Sequence, residues 1–253
     1  MKRFLFHFTL LSFSLSFAEP VLIMVPVYNR PEFIGMQKRL FDKFIQDKEG
    51  YHVVIFDDSR DEPMAAKMKK ECELWHVEYR RVPQEIHSRP YLPRHHTWPV
   101  NSPSNRHVHT VQYALDTYLF DHNGIVFLAD SDLFLTRPIN FHSIMKDKDI
   151  FGVMLPTGGG IRYLWPGFTI LHMDHLPDKR SFNVNCGRIN GHAVDSGGYT
   201  YLYLQKHPEV TWKPAVVRSA ICLYCHNRFS KRTDYLKVPK DQQIKTLKEY
   251  GFN

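Results

Sequence analysis

"GIVFLADSDLFL" (residues 124–135) runs an apolar stretch straight into two aspartates with a serine between them. A buried strand has no use for carboxylates at its end unless something meets them there. A helix cap or a surface turn is one explanation, because Asp and Ser favour both. A metal is the other. Side chains two apart on an extended segment point the same way, so Asp130 and Asp132 can face one ligand, with Ser131 between them. In an open α/β sheet, ligands bind beyond the carboxyl ends of the strands. Mg2+ or Mn2+ takes carboxylate oxygens together with phosphate oxygens of a substrate, so two carboxylates and a diphosphate make one coherent site.

Outward from this stretch, apolar runs and helical periodicity alternate. Residues 21–27 (VLIMVPV) form a continuous apolar strand, broken by Asn29-Arg30-Pro31. Residues 32–47 place Phe33, Met36, Leu40, Phe41, Phe44 and Ile45 at helical spacing. "YHVVIFDDS" is a second strand ending in Asp57 and Asp58, followed by a helix over 62–75 and a short strand over 77–82. Ser104 or Asn105 is expected to cap a helix whose face carries Val108, Val111, Ala114, Leu115 and Tyr118. Two further strands, "DIFGVMLPTGGG" and "FTILHM", flank a glycine loop, and residues 240–250 read as a basic amphipathic helix. This order predicts an α/β fold: a mostly parallel central sheet flanked by helices on both faces.

The first residues, "MKRFLFHFTLLSFSLSFAEP", pair a basic start with an apolar run and small residues near Ala18, the pattern of a secretory signal peptide. An uncleaved anchor is the alternative, which would give membrane association through the N-terminus. Residues 1–18 are therefore assigned to the leader and 19–253 to a single catalytic-type domain. At 253 residues, 43% hydrophobic and 23% charged, the chain is globular with a sizeable core. Its net charge of +7 is scattered, with none of the dense basic, aromatic-interleaved stripe that nucleic acid requires, so no nucleic-acid partner is expected. Between Pro83 and Pro103, five prolines and His87, His95 and His96 mark a long loop.

Four segments in this order resemble the GT-A fold glycosyltransferases, similar in style to the family-2 nucleotide-sugar transferases. They are "VPVYNRPE" (25–32), "VVIFDDS" (53–59), "NRHVHTVQYAL" (105–115) leading into "IVFLADSD" (125–132), and "CHNRFS" (225–230). The resemblance implies a metal-dependent hexosyltransferase-type enzyme that moves a sugar from a nucleoside diphosphate donor, UDP-sugar foremost, to a glycan or glycoprotein hydroxyl. It implies nucleotide contacts from Tyr28, Asn29, Arg30, Asp57, Asp58, Asn105 and Ser131, with Tyr28 at the base and Asp57 near base or ribose. It implies Mn2+ or Mg2+ on Asp130 and Asp132, with His226 as third ligand. Here the chain departs from the pattern, because Asn227-Arg228-Phe229 stands where glycines usually follow that histidine.

On the acceptor side, Trp165 beside Gly158–Gly160 offers either a stacking surface for a sugar or a core residue. Asp195 before Ser196-Gly197-Gly198 is the candidate base for the acceptor hydroxyl, or else a helix N-cap; Gly197 and Gly198 would approach the substrate. Arg106, Arg162 and Arg188 are candidate phosphate clamps. Cys222-x-x-Cys225-His226 matches the c-type haem attachment signature, with a disulfide or two buried thiols as alternatives. An exported haem protein and a non-catalytic nucleotide-sugar or glycan-binding protein of the same fold therefore remain as other functions. The leader places the protein in the secretory pathway, in a Golgi or endoplasmic-reticulum lumen supplied with donor, or outside the cell.

Overall fold

A computed structural model describes residues 19–88, 103–215 and the backbone of 222–224. The leader, the proline-rich stretch with His95 and His96, Cys225, His226 and the basic tail lie outside the described residues. In chain order the elements are β1 (Val21–Val27), α1 (Pro31–Phe44), β2 (Tyr51–Asp57), α2 (Glu62–Leu74), β3 (Glu78–Arg81), α3 (Pro103–Thr117), β4 (Ile125–Ala129), β5 (Leu133–Leu135) and α4 (Phe141–Met145). There follow β6 (Ile150–Pro156), β7 (Arg162–His172), β8 (Gly187–Ile189), β9 (His192–Val194), α5 (Thr200–Lys206), β10 (Trp212–Pro214) and β11 (Cys222–Tyr224).

Seven strands hydrogen-bond into one sheet in the order β10–β6–β7–β4–β1–β2–β3. Six run the same way and β7 alone runs against them, as the pairings of neighbouring strands require. The mostly parallel sheet read from the sequence is therefore the observed one. β1 and β4 lie side by side while the chain winds from β1 outward through β2 to β3, so the order reverses between them. At such a switch point the loops leave in opposite directions and open a crevice at the strand ends.

The unbroken apolar runs follow from burial on both faces. Val21, Ile23, Val25 and Val27 of β1 join Ile125, Phe127 and Ala129 of β4 in a core shared with Ile34, Phe41 and Phe44 of α1. The alternate residues, Leu22, Met24, Val126 and Leu128, face Val111, Ala114 and Leu115 of α3. Each fully buried side chain of this size contributes about 1.5–3 kcal/mol. Phe127 packs edge-on against Phe168 at 5.0 Å and tilted against Phe141 at 5.2 Å, which fixes β4, and with it the residues that follow.

The helix starts follow local rules. Pro31 opens α1, where a missing N–H is harmless, and the Asp61 carboxylate accepts the Met64 N–H at 2.8 Å to cap α2. α3 opens at Pro103, so Ser104 and Asn105 sit inside its first turn and neither is the cap expected from the sequence. Among the described cysteines, Cys72 and Cys186 are buried free thiols. Burial, with nearby carboxylates adding, pushes both up to about 12, so both are neutral at ordinary pH. No described helix is long and apolar enough to cross a membrane.

Candidate active site

The crevice at the switch point is a cavity of about 600 Å3. Its walls come from the end of β1 (Pro26, Val27, Tyr28), the turn after β2 (Asp58, Arg60), the first turns of α3 (Ser104, Arg106, His107) and residues 130–132 after β4. Trp165 and Asp195 close the far side. The structure thus brings Tyr28, Asp58, Asp130, Ser131, Asp132, Trp165 and Asp195 into one cleft.

The Asp-Ser-Asp stretch is not extended, contrary to the sequence reading. The Leu133 N–H reaches back to the Asp130 carbonyl at 3.1 Å, closing a turn with Ser131 and Asp132 at its centre. Both aspartates line the cleft because of that turn and not because of strand periodicity. Three contacts hold it. The Asp130 N–H donates to Gly167 O at 3.0 Å, and the buried Gln37 amide on α1 donates to the carbonyls of Asp130 at 2.7 Å and Leu133 at 2.9 Å. Gly167 also has no room for a side chain: a Cβ there would stand 2.1 Å from the Trp165 ring and 2.5 Å from Oδ2 of Asp130. Trp165 is half-buried, its ring backed by this glycine and one side on the cleft.

Nothing in the sequence marked Gln37 or His107. Replacing Gln37 with Met keeps its volume but removes one hydrogen bond from each of two carbonyls, that of Leu133 and that of Asp130, which keeps the Leu133 N–H; each lost bond is worth about 0.5–1.5 kcal/mol. Because Oε1 of Gln37 is itself buried without a partner, the net loss expected is about 2 kcal/mol. Gln37→Met should lower the thermal midpoint by about 4–8 °C. A melting curve measures the shift, and an unchanged midpoint would mean that the amide does not hold the turn.

His107 brings the only imidazole in the described wall of the cleft. Its Nε2 lies 2.8 Å from Oδ1 of Asp130. Burial disfavours the charged imidazole, but the Asp130 carboxylate outweighs it, and Asp195 and Asp132 add to the effect, so His107 titrates above its ordinary range.

A second carboxylate is held differently. Asp58 is buried and accepts from His87 Nε2 at 2.6 Å and from Arg106 Nη2 at 2.8 Å, with Arg106 Nε 2.8 Å from its other oxygen. The Arg106 guanidinium, anchored also on Gln84 at 2.6 Å, lies 5.1 Å from the Tyr28 ring. Its partnered carboxylate positions an arginine beside an exposed aromatic ring, a surface suited to a nucleobase and its phosphates. Of the three candidate arginine clamps only Arg106 lines the cleft; Arg162 and Arg188 are exposed elsewhere.

Several expected contacts do not reach the cleft. Asp57, expected near base or ribose, is wholly buried: Oδ1 accepts the Ser59 N–H at 2.8 Å and Oδ2 the Tyr79 hydroxyl at 2.9 Å. Neighbouring strand residues point to opposite faces, so Asp58 takes the cleft and Asp57 the interior. Asn105 also faces inward, its Oδ1 accepting the Cys186 thiol at 2.7 Å. Asn29 occupies a left-handed turn position, and Arg30 packs over Phe33 at 5.0 Å; neither lines the cleft. Gly197 and Gly198 do not meet the cavity either. A Cβ on Gly197 would fall 1.8 Å from the Leu164 carbonyl oxygen, and one on Gly198 2.2 Å from Val194, so both glycines serve packing. Asp195 is exposed at the rim and accepts the Ser196 N–H at 2.7 Å. It is not a helix cap, because α5 begins five residues later with Tyr199 in the cap position. His226 lies outside the described residues, although β11 ends with Tyr224 in register with Leu133, the residue after the turn.

Among the described residues, one group of three has all its donor atoms within 4.8 Å: Asp47, Glu49 and His142. It lies apart from the cleft. The Asp47 oxygens already accept the N–H groups of Phe141 and His142, each at 2.9 Å, and sit 2.7 Å from His142 Nδ1. That cluster caps the start of α4. In the cleft the donors are carboxylate oxygens and one imidazole nitrogen, and Nε2 of His107 is buried with no aligned hydrogen-bond partner. This set fits a divalent cation such as Mn2+ or Mg2+.

A mostly parallel sheet with one reversed strand, a cleft at its switch point and an acidic turn after β4 define the GT-A fold of nucleotide-sugar transferases. The mannosyltransferase PcManGT from Pyrobaculum calidifontis, solved with GDP-Man and Mn2+, is similar to this chain at a TM-score of 0.51 and 12% identity, over 86% of this chain and 59% of that one. Glucosyl-3-phosphoglycerate synthase from Mycobacterium tuberculosis, solved with Mn2+, UDP and glucosyl-3-phosphoglycerate, gives 0.48 at 12% identity, over 93% and 81%. S. aureus TarS 1–349 with UDP-GlcNAc gives 0.45 at 12% identity, over 91% and 65%. The likeness to PcManGT establishes the fold, and the chain spans about three-fifths of that enzyme's length. No protein-family profile and no curated protein sequence matches the chain.

Proposed function

We propose that the protein is a metal-dependent glycosyltransferase that moves a sugar from a nucleoside diphosphate to a hydroxyl acceptor. The observation that carries this reading is the convergence of Asp130, Asp132 and Asp195 with Tyr28 and Arg106 on one cleft at the switch point of a GT-A sheet. Tyr28 stacks on the base and Arg106 faces the phosphates. Asp130 and Asp132 would hold Mn2+ or Mg2+, which when bound would supply Lewis-acid stabilisation for the charge that develops on the leaving diphosphate. Trp165 stacks on a sugar ring. The acceptor oxygen bonds to the anomeric carbon, the bond from that carbon to the diphosphate breaks, and the acceptor proton passes to Asp195.

A melting screen with UDP and GDP, each with and without Mn2+, tests the reading. One nucleotide should raise the midpoint by about 5–10 °C at a hundredfold excess over its Kd, and only with metal. The matching nucleotide sugar should then release nucleoside diphosphate. Stabilisation without release identifies a binding protein of the same fold. No stabilisation by any pair overturns the reading.

A further inference from the structure

We propose that Nε2 of His107 is itself a ligand of the cleft's divalent cation, so that α3 and the Asp130 turn grip the ion from two sides. This deepens the proposed function and rests on its cation.

The first observation is a contact with the wrong form for a hydrogen bond. Nε2 of His107 stands 2.8 Å from Oδ1 of Asp130, yet it is buried without an aligned partner. The neighbouring pair of His87 and Asp58, at 2.6 Å, is an aligned hydrogen bond. A hydrogen bond needs its N–H to aim at the oxygen. Two ligands of one ion meet the opposite requirement. With metal–ligand bonds of about 2.1 Å, adjacent ligand atoms lie about 3 Å apart, and each lone pair aims between them at the ion. The short, misaligned contact has the form of an edge of a coordination shell.

The second observation is rigidity. α3 runs for 15 residues, and Val108, Val111, Ala114 and Leu115 bury its inner face. Gln37 and Gly167 fix the turn opposite. Both ligands therefore ride on preset elements, which a tight site requires.

Third, the charges leave the place open to a cation. Asp130, Asp132 and Asp195 line the same cleft as His107, while Arg106 in the same wall is engaged with Asp58. Neither Asp132 nor Asp195 closes a three-atom set with this pair among the described residues.

The test is pulsed electron-paramagnetic resonance on the full chain with Mn2+ and UDP, and separately with Mn2+ and GDP. Bound Mn2+ should show nitrogen coupling from an imidazole. His107→Gln, with His107→Asn as a second variant should the first fail to fold, should abolish that coupling and weaken Mn2+ at least tenfold. His226→Gln should keep it. Bound Mn2+ without nitrogen coupling overturns the assignment and leaves the proposed function standing. Coupling that survives in His107→Gln, or vanishes in His226→Gln, overturns it in favour of another imidazole. No Mn2+ bound with either nucleotide overturns both.

Discussion

Replacing Asp132 with alanine is expected to lower donor turnover about a thousandfold while moving the thermal midpoint by no more than about 2 °C. The two effects separate because of where the residue sits. Asp132 is half-buried at the centre of a turn whose fixed points are its neighbours: the Asp130 N–H and carbonyl, the Leu133 carbonyl and the Gln37 amide. None of those contacts uses the Asp132 carboxylate. Loss of a half-exposed side chain outside the core usually changes stability by about 0.5 kcal/mol. Charge stabilisation by a bound cation is worth several kcal/mol, and each 1.4 kcal/mol is about tenfold in rate. Nucleotide release and a melting curve on the same preparation provide the measurement. A midpoint lowered by more than about 5 °C would make Asp132 a structural residue, and retained turnover would remove it from the site.

The largest effect on stability is expected at Gly197. Its φ of +89° is left-handed, which costs an alanine about 1–2 kcal/mol. A Cβ would also stand 1.8 Å from the Leu164 carbonyl oxygen and 2.8 Å from Pro166. Relieving such an overlap shifts backbone, at about 1–3 kcal/mol. Gly197→Ala should therefore lose about 3–4 kcal/mol, roughly 10 °C in midpoint for a chain of this size. The damage should reach the cleft. The Gly197 N–H donates to Val184 at 2.7 Å, its carbonyl accepts the Thr200 hydroxyl at 2.7 Å, and that hydroxyl accepts the Leu164 N–H at 2.8 Å. These bonds clamp the segment carrying Asp195 onto β7. Gly160→Ala is the control: φ is +72° with nothing within 4 Å of the added atom, so only the local backbone penalty of about 1 kcal/mol applies. Equal losses at both positions would mean that the clamp contributes nothing.

The sequence shows its sheet clearly because both faces of β1 and β4 are buried, and such strands read as unbroken apolar runs. The acidic pair stood out for the same reason, since carboxylates after a buried run need an explanation, but its turn did not: the sequence reading had the pair extended, and the bond from Leu133 N–H to the Asp130 carbonyl folds it back. What the sequence hid depends on contacts between distant residues. Gln37 is 93 positions from Asp130, and no local pattern marks it. His107 sits in "NRHVHT" beside His109; which of them meets β4 depends on the rotation of α3, and His109 instead stacks on His87 at 5.8 Å. Asp57 and Asp58 were indistinguishable until β2 had a register, because a step of one residue exchanges cleft for interior. Gly197 and Gly198 read as a flexible approach to substrate because sequence shows the missing side chain but not the Leu164 carbonyl and Val194 side chain that would collide with one.

The two outermost of the described strands, β3 and β10, have a consequence for the protein in a crowded solution. One spans four residues and carries Glu78, Arg80 and Arg81; the other spans three, with Lys213 and Pro214. A short border studded with charge, or ended by a residue lacking an N–H, is a poor template for a foreign strand. The same sheet that buries its middle on both sides thus resists being extended by a neighbour, which guards a strongly apolar fold against stacking into aggregates.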